Sequence, residues 1–267
     1  MSRFTPDWLA LREPYDRGAR SSALADRFAK ALGRARRVID LGCGTGANLR
    51  YLALRLPQSR RWLCLDRDRD LLARAETALG RWRSEVGWHG EVRFAALDLA
   101  SGVDSLALES AGVTASALLD LASAAWLDRL AERCRRTPML MALSFDGRLS
   151  WCPALDEDAS VRDRFLAHQR TDKGFGPALG PDAAAHLGEG LVAIGHEVAT
   201  ATSDWRLGPG DQALIEAMLD GVMAAAAKIK DDRRLATWAN QRRLQLARGE
   251  LGLMVGHVDL LALPAAA

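Results

Sequence analysis

The chain has 267 residues, 49% of them apolar, and its 36 basic residues nearly balance its 34 acidic residues, which leaves a formal net charge of +2. This length and apolar content are sufficient for one large hydrophobic core, so we expect a single domain over residues 1–267. So small a net charge provides no footprint for a polyanion, and we expect no nucleic-acid partner.

The four cysteines, Cys43, Cys64, Cys134 and Cys152, show no C-x-x-C spacing and no neighbouring histidines. This pattern predicts reduced thiols and no metal site. No segment has the apolar length of a signal peptide core or a membrane-spanning helix. We therefore expect a cytoplasmic protein with no membrane partner, either a monomer or a homodimer.

Short apolar runs alternate with amphipathic stretches, a pattern typical of an α/β fold with strands and helices around a mostly parallel sheet. The predicted strands are 36–41, 61–66, 91–97, 113–116, 139–145, 197–202 and 251–263. The main predicted helices are 47–56, 68–80, 118–134, 159–167, 182–194, 211–227 and 232–248.

The stretch VIDLGCGTG, residues 38–46, places three glycines at alternate positions directly after the first predicted strand. A glycine turn between a strand and a helix lets a ligand approach the helix N-terminus. Gly42, Gly44 and Ala47 also match the dinucleotide pattern G-x-G-x-x-[GA], so the turn alone does not select a ligand. Asp40, two residues before Gly42, would repel a pyrophosphate and attract an ammonium group. A ligand with an amino-acid end, a nucleoside end and no phosphate suits the turn better.

Two more carboxylates follow the next two predicted strands. Asp66 closes the second strand, where an acid in a doubly wound fold binds ribose hydroxyls, a device that NAD enzymes share. Asp98 follows the third strand. Because parallel strands end at the same edge of a sheet, we expect Asp40, Asp66 and Asp98 to face the amino group, the ribose and the adenine of one ligand.

With these motifs together, residues 34–146 resemble the class I S-adenosylmethionine-dependent methyltransferases. The resemblance implies a Rossmann-like sheet of seven strands in the order 3-2-1-4-5-7-6, mostly parallel, with the last strand antiparallel, helices on both faces and helical cap insertions. It also implies that S-adenosylmethionine is the cofactor and S-adenosylhomocysteine its product. The residues that it assigns to the cofactor are Asp40, Gly42, Cys43, Gly44, Gly46, Asp66, Arg67, Asp98, Leu99 and Ser116.

The resemblance further implies a helix near the N-terminus that folds over the cofactor. From it, Tyr15 and either Arg12 or Arg20 would reach the methionine carboxylate. We expect residues 1–33 to form this cap and residues 34–146 to form the cofactor-binding core. Residues 147–181 and 203–248 leave the sheet near its ligand-binding edge, so they are expected to be substrate-cap insertions.

His168, at the start of HQRTDKGFGPALGP, is the candidate general base. Lys173 would receive an acidic group of the substrate, and Trp151 and Trp205 would form an aromatic wall. The expected activity is methylation of a small molecule at oxygen, nitrogen or carbon. A methyltransferase of protein or RNA, a cofactor-binding scaffold without activity and a nicotinamide-dependent enzyme remain alternatives.

Overall fold

A computed structural model describes residues 5–33 and 35–265 and shows a central sheet flanked by helices. Residues 1–4, 34, 266 and 267 of the predicted ranges lie outside the described residues. The strands are β1 Arg37–Leu41, β2 Arg61–Asp66, β3 Val92–Ala96, β4 Ala111–Ser116, β5 Met139–Cys152, β6 His196–Thr202, β7 Trp205–Leu207 and β8 Gly252–Pro264. The helices are α1 Pro6–Ala19, α2 Ser22–Ala31, α3 Ala47–Ala53, α4 Arg69–Val86, α5 Leu99–Gly102, α6 Ala124–Arg133, α7 Asp158–Gln169, α8 Ala183–Ala193, α9 Gln212–Ile229 and α10 Arg233–Ala247.

The order of the strands in the sheet is β3-β2-β1-β4-β5-β8-β6, and β7 pairs with β8 outside this path. The pairs among β1 to β5 are parallel, whereas β8 runs antiparallel to β5, β6 and β7. The predicted strand order is therefore confirmed, with β8 as the predicted seventh strand. The predicted number of strands was one too few, because the three residues of β7 are too short to show a periodic pattern.

The fifth strand is longer than predicted. It continues beyond Phe145 to Cys152 and remains paired with β8 through two register shifts, between Met141 and Ser144 and between Phe145 and Leu149. These irregularities interrupt the alternation of apolar residues that marks a strand in the sequence. The first residues of the predicted cap insertion 147–181 therefore belong to the sheet.

Helices cover both faces of the sheet. Successive residues of a strand point to opposite faces, so each strand packs against helices on both sides. Ile39 and Met139 face a cluster with α6 and α8, whereas Val38 and Leu140 face a cluster with α2, α3 and α4. A third apolar cluster joins the second half of β5 with β7, α9 and α10. We call α7, α9 and α10 the cap helices.

Helix α6 begins later than the predicted helix 118–134. Residues Leu119–Leu121 form a 3₁₀ turn, and Ser123 then caps α6 by accepting a hydrogen bond from the Trp126 N–H. A serine before an apolar run is a common helix start. The turn holds Asp120 close to the end of β4 instead of on the surface of a helix.

A buried carboxylate ties the N-terminal helices to the middle of the sheet. Asp259 of β8 is 1% exposed and accepts hydrogen bonds from the Ser21 N–H and the Leu143 N–H, each at 2.8 Å. Leu143 has a φ of +55°, a conformation that non-glycine residues rarely adopt.

No helix within residues 5–33 and 35–265 is long and apolar enough to cross a membrane.

Candidate functional site

A cleft opens at the sheet edge where β1 to β4 end. Its empty space, including the mouth that is open to solvent, is about 1230 Å³. Helix α1 and the segment 173–175 form the side opposite the strand ends. The predicted site residues that line the cleft are Arg12, Gly42, Cys43, Gly44, Asp66, Arg67, Asp98, Leu99, Ser116 and Lys173. The topology thus brings most of the predicted cofactor residues to one place.

The glycine turn has left-handed backbone at Gly42, Gly44 and Gly46, with φ values of +64°, +52° and +81°. A Cβ atom on Gly42 would lie 3.1 Å from Leu118 Cδ1, and one on Gly44 would lie 3.3 Å from Leu9 Cδ1. The turn therefore requires glycine both for its conformation and for the close approach of its neighbours. Gly46 caps α3 and lies outside the cleft wall.

Asp66 accepts a hydrogen bond from a backbone N–H of the glycine turn that would otherwise be available to a phosphate. The Gly44 N–H donates to Asp66 Oδ2 at 2.8 Å, and the Asp68 N–H donates to Asp66 Oδ1 at 2.9 Å. Phosphate-binding glycine turns present such N–H groups to the ligand. The dinucleotide alternative therefore lacks one of its expected donors. Each Asp66 oxygen has capacity for a second hydrogen bond, as ribose hydroxyls would require.

Asp40 lies beneath the cleft wall. Its side chain is 0% exposed, and its Oδ1 accepts a 2.6 Å hydrogen bond from Asn48 Nδ2, while its Oδ2 has no partner among the described residues. Burial raises the pKa of Asp40 to about 7, against the opposing effects of the Asn48 hydrogen bond and the Arg20 charge. Asp40 therefore does not line the cleft, although the sequence predicted that it would face the amino group of the ligand. The acids that line the cleft are Asp16, Asp66, Asp68 and Asp98.

Arg20 lies in a small side pocket whose lining residues Asn48 and Ser116 also border the cleft. Its Nη1 donates to Asn48 Oδ1 at 2.8 Å, and its guanidinium lies 4.1 Å from the centre of the Tyr51 ring. Within the described part of the chain, Arg20 Nε and Nη2 have no hydrogen-bond partner. A buried guanidinium with free donors is suited to a carboxylate.

Tyr15, another N-terminal candidate, does not line the cleft. Its hydroxyl donates to Asp211 Oδ1 at 2.9 Å, which connects α1 to the start of α9. Asn48, by contrast, was missed by the sequence reasoning although it bridges Arg20 and Asp40. A polar residue in the first turn of the helix that follows the glycine turn was the available indication.

The adenine candidates lie at the end of β3. Asp98 caps α5, because its Oδ1 accepts the Ala100 N–H at 3.1 Å. The carbonyl oxygen of Leu99 accepts a hydrogen bond from Trp126 Nε1 at 2.7 Å, which anchors this corner to α6. Phe175 packs edge-on against Trp126, with ring centroids 5.1 Å apart, and closes the cleft from above.

The two candidate tryptophans do not line the cleft. Trp151 is buried in the third cluster and packs edge-on against Trp238. Trp205 is also buried, and the guanidinium of Arg12 lies 4.9 Å from its ring centre. Arg12 lines the cleft and forms two hydrogen bonds with Asp16, at 2.8 and 3.1 Å. Trp205 therefore supports a residue of the wall.

Lys173 lines the cleft, and His168 lies behind it. Lys173 Nζ donates to the carbonyl oxygen of His168 at 2.8 Å and to Thr171 Oγ1 at 2.9 Å, and it lies 3.3 Å from His168 Nδ1. Burial lowers the pKa of both Lys173 and His168. His168 is not part of the cleft wall, so its role as a base stays a prediction.

The turn after β4 contains an acid that the sequence reasoning missed. Ala117, with a φ of +52°, lines the cleft together with Leu118 and Leu121. Asp120 lies between these two leucines and is half-buried, and burial raises its pKa to about 6. An acid near the end of a strand was visible in the sequence, but the predicted helix 118–134 obscured its position.

No cluster of three or more His, Cys, Asp or Glu side chains within residues 5–33 and 35–265 could hold a metal ion.

No protein-family model matches this chain, and no curated protein matches it. Solved structures do resemble it. An S-adenosylmethionine-dependent methyltransferase from Thiobacillus denitrificans in complex with S-adenosyl-L-homocysteine has 17% identity and a TM-score of 0.47, over 97% of this chain and 99% of that one. A second S-adenosylmethionine-dependent methyltransferase with the same ligand, from Geobacter sulfurreducens, has 17% identity and a TM-score of 0.44, over 90% of each chain.

The cyclopropane synthase MmaA2 from Mycobacterium tuberculosis has 12% identity and a TM-score of 0.45, over 88% of this chain and 82% of that one. The fold assignment rests on the strand order of this chain and not on these scores.

Proposed function

We propose that this chain is an S-adenosylmethionine-dependent methyltransferase that acts on a small molecule at oxygen, nitrogen or carbon. The observation that supports this function best is a cleft that joins Asp98 to a glycine turn whose Gly44 N–H already donates to Asp66. These groups suit a nucleoside that carries an amino acid in place of phosphates.

The unpartnered polar atoms near the cleft fit the amino-acid end of S-adenosylmethionine. Arg20 Nε and Nη2 would bind its carboxylate, and the buried Asp40, hydrogen-bonded to the cleft-lining Asn48, would favour its ammonium group as a charge beneath the turn. Ser116 would line the methionine chain. Buried donors and acceptors normally have partners, so their occurrence together supports a ligand at this position.

The other end of the cleft suits adenosine. Asp66 would accept the ribose hydroxyls, Arg67 lies beside it, and Asp98 with Leu99 would border the base. When bound, S-adenosylmethionine supplies a methyl group activated by a sulfonium. The chain would contribute by orienting the acceptor at about 3–3.5 Å from its reaction partner and by excluding water beneath α1 and Phe175.

A small acceptor is favoured because α1 and the segment 173–175 cover the cleft opposite the strand ends. Leu118, Leu121 and Phe175 provide apolar surface, and Lys173 provides a cation for an acidic group. His168 stays the candidate base named from the sequence. A cytoplasmic location also stays a prediction.

Calorimetry with S-adenosylhomocysteine, followed by its release from S-adenosylmethionine with panels of small acceptors, peptides and RNA, tests this function. We expect binding of S-adenosylhomocysteine, no binding of NADH, and turnover with a small acceptor. Binding of NADH without S-adenosylhomocysteine would overturn the proposal. Turnover confined to peptides or RNA would replace the acceptor class, and cofactor binding without any turnover would indicate a scaffold.

A further inference from the structure

Helix α1 contributes an arginine with an available donor to the wall of the cleft. Arg12 lines the cleft, and its side chain is 11% exposed. Its Nε and Nη2 donate to the two Asp16 oxygens at 2.8 and 3.1 Å, so one edge of the guanidinium is occupied. Arg12 Nη1 forms no hydrogen bond with residues 5–33 or 35–265 and is not fully buried. A ligand in the cleft can therefore accept a hydrogen bond from it.

Two indole rings fix the plane of this guanidinium. Its central carbon lies 4.9 Å from the ring centre of Trp205 and 5.7 Å from that of Trp8, and the two rings meet edge-on at 6.3 Å. Guanidinium groups interact favourably with aromatic rings. Because Asp16 and both rings already hold Arg12, binding through Nη1 would cost little additional conformational entropy.

The contact with Trp205 places Arg12 away from the acids proposed to bind the nucleoside. Trp205 belongs to β7, which pairs with β8, whereas Asp66 ends β2 and Asp98 follows β3 toward the other edge of the sheet. Arg20, in the side pocket, already has two unpartnered donors for the methionine carboxylate. Arg12 is therefore available to a second ligand, the methyl acceptor.

The other two cations of the wall are less suited to bind the acceptor. Lys173 Nζ donates to the His168 carbonyl oxygen at 2.8 Å and to Thr171 Oγ1 at 2.9 Å, and it lies 3.3 Å from His168 Nδ1. An ammonium group has three N–H donors, and these three atoms engage them. Arg67 is exposed and follows β2, at the nucleoside end. Lys173 thus contributes charge, whereas Arg12 contributes a donor.

The charges in this part of the wall favour a single negative charge on the acceptor. Arg12 and Asp16 neutralise each other, which leaves the one positive charge of Lys173. A carboxylate, with one negative charge, complements this arrangement better than a phosphate with two. The wall also contains the apolar side chains of Leu118, Leu121 and Phe175.

We propose that Arg12 is a specificity-determining residue that binds a carboxylate of the methyl acceptor. This inference rests on the proposed methyltransferase function and narrows the acceptor to a small apolar molecule with one carboxylate. Arg12 Nη1 donates to a carboxylate oxygen, and the charge of Lys173 adds to the attraction. Arg12 takes no part in the bond changes of methyl transfer, because its role is to hold the acceptor in place.

Binding of simple carboxylates to the protein saturated with S-adenosylhomocysteine tests this inference without turnover. The probes are benzoate, phenylacetate and hexanoate, each compared with its uncharged amide in an NMR titration of the ¹⁵N-labelled indole groups. We expect at least one acid to bind about 10-fold more tightly than its amide, because a charge-assisted hydrogen bond is lost in the amide. Phenyl phosphate should bind more weakly than benzoate. Equal affinities of every acid and its amide, or tighter binding of phenyl phosphate, would overturn the inference.

Variants of Arg12 identify the group that binds the acid. Arg12→Gln should abolish the preference for the acid over the amide, whereas the control Arg27→Gln, at an exposed pair with Glu197, should keep it. Arg12→Lys retains a charge beside Asp16 and serves as a second variant if Arg12→Gln does not fold. It should weaken acid binding by roughly 3- to 10-fold, because an ammonium group lacks the planar donor geometry. An undiminished preference in the folded Arg12 variants would rule out this role.

Cofactor binding distinguishes the two arginines. Both Arg12 variants should bind S-adenosylhomocysteine within about 2-fold of the wild type, whereas Arg20→Gln should weaken it by roughly 10-fold or more and keep the preference for the acid. The reverse result would overturn the assignment of Arg12 to the acceptor. Failure of the wild type to bind S-adenosylhomocysteine would instead refute the proposed function. Titration of the unliganded wild type and Arg12→Gln with the same probes would still decide whether Arg12 binds a carboxylate.

Discussion

At the scale of single residues, Asp66 has two tasks. It orders the glycine turn through the Gly44 N–H, and it lines the cleft where the ribose is proposed to bind. A substitution here would therefore remove a structural acceptor and a ligand acceptor together.

Asp66→Ala should weaken binding of S-adenosylhomocysteine by about 1–3 kcal/mol, or roughly 5- to 150-fold, because buried hydroxyl and amide donors lose their acceptor. Isothermal titration calorimetry measures this change. Asp104→Ala, at an exposed pair with Arg129, serves as the control and should bind like the wild type. Equal affinities for the two variants would exclude Asp66 from the site.

Asp40 provides a pH-dependent prediction. Its pKa rises from 3.8 to about 7 in the folded protein, so the folded state holds this proton more tightly than the unfolded state. The resulting stabilisation is complete below the unfolded pKa and is lost as the pH rises through the folded pKa. The Tm of Asp40→Asn minus that of the wild type should therefore increase between about pH 4 and about pH 7.5. A difference that stays constant over this pH range would contradict the raised pKa of Asp40.

The sequence located residues at strand ends better than it located side-chain contacts. Asp66, Asp98 and Ser116 line the cleft because strand order alone brings their backbone to one edge. Tyr15 and Trp151 point into packed clusters instead, because their direction depends on neighbours from distant parts of the chain. Pattern and spacing carry no information about those neighbours.

At the scale of elements, α1 forms one side of the cleft and is held by α3. Arg50 Nε and Nη2 donate to the two Glu13 oxygens at 2.9 and 2.5 Å, and Arg50 Nη1 donates to the Thr45 carbonyl oxygen at 2.8 Å. Arg50 is 7% exposed, so this pair is largely shielded from water. It joins the covering helix to the glycine turn.

Glu13→Gln should speed the dissociation of S-adenosylhomocysteine by about 10-fold, because it removes one charge of a shielded pair and loosens α1. Stopped-flow displacement measures this rate. Glu197→Gln, in the exposed pair between Arg27 and β6, is the matched control and should leave the rate unchanged. Equal dissociation rates for the two variants would mean that α1 does not retain the ligand.

Element order was predictable because buried parallel strands read as short apolar runs between amphipathic helices. The ends of strands and helices were less predictable where local geometry interrupts the periodic spacing of apolar residues. The bulges of β5 and the 3₁₀ turn Leu119–Leu121 both do this, and both lie beside the cleft or the cap helices. Asp120, which the sequence reasoning missed, lies at one of these breaks, whereas Asn48, also missed, lies within α3.

At the scale of the whole molecule, a ligand that bridges α1 and the strand ends should stabilise the entire fold. S-adenosylhomocysteine at about 100 times its Kd contributes roughly 2.7 kcal/mol, which corresponds to a Tm increase of about 5–10 °C for a chain of this size. Differential scanning fluorimetry measures this shift. NADH at the same concentration should leave the Tm unchanged, and the opposite pattern would favour the dinucleotide alternative.

The hydrogen bonds of Asp259 affect when the chain can complete its fold during translation. This carboxylate belongs to β8, which is translated after the other strands and helices of residues 5–33 and 35–265, yet it receives the Ser21 amide at the start of α2 and the Leu143 amide within β5. A nascent chain that has emerged only as far as α10 cannot dock its first two helices in their final place. We expect the proposed nucleoside ligand to bind only after β8 has been translated. An incomplete chain would therefore not withdraw this ligand from the cell.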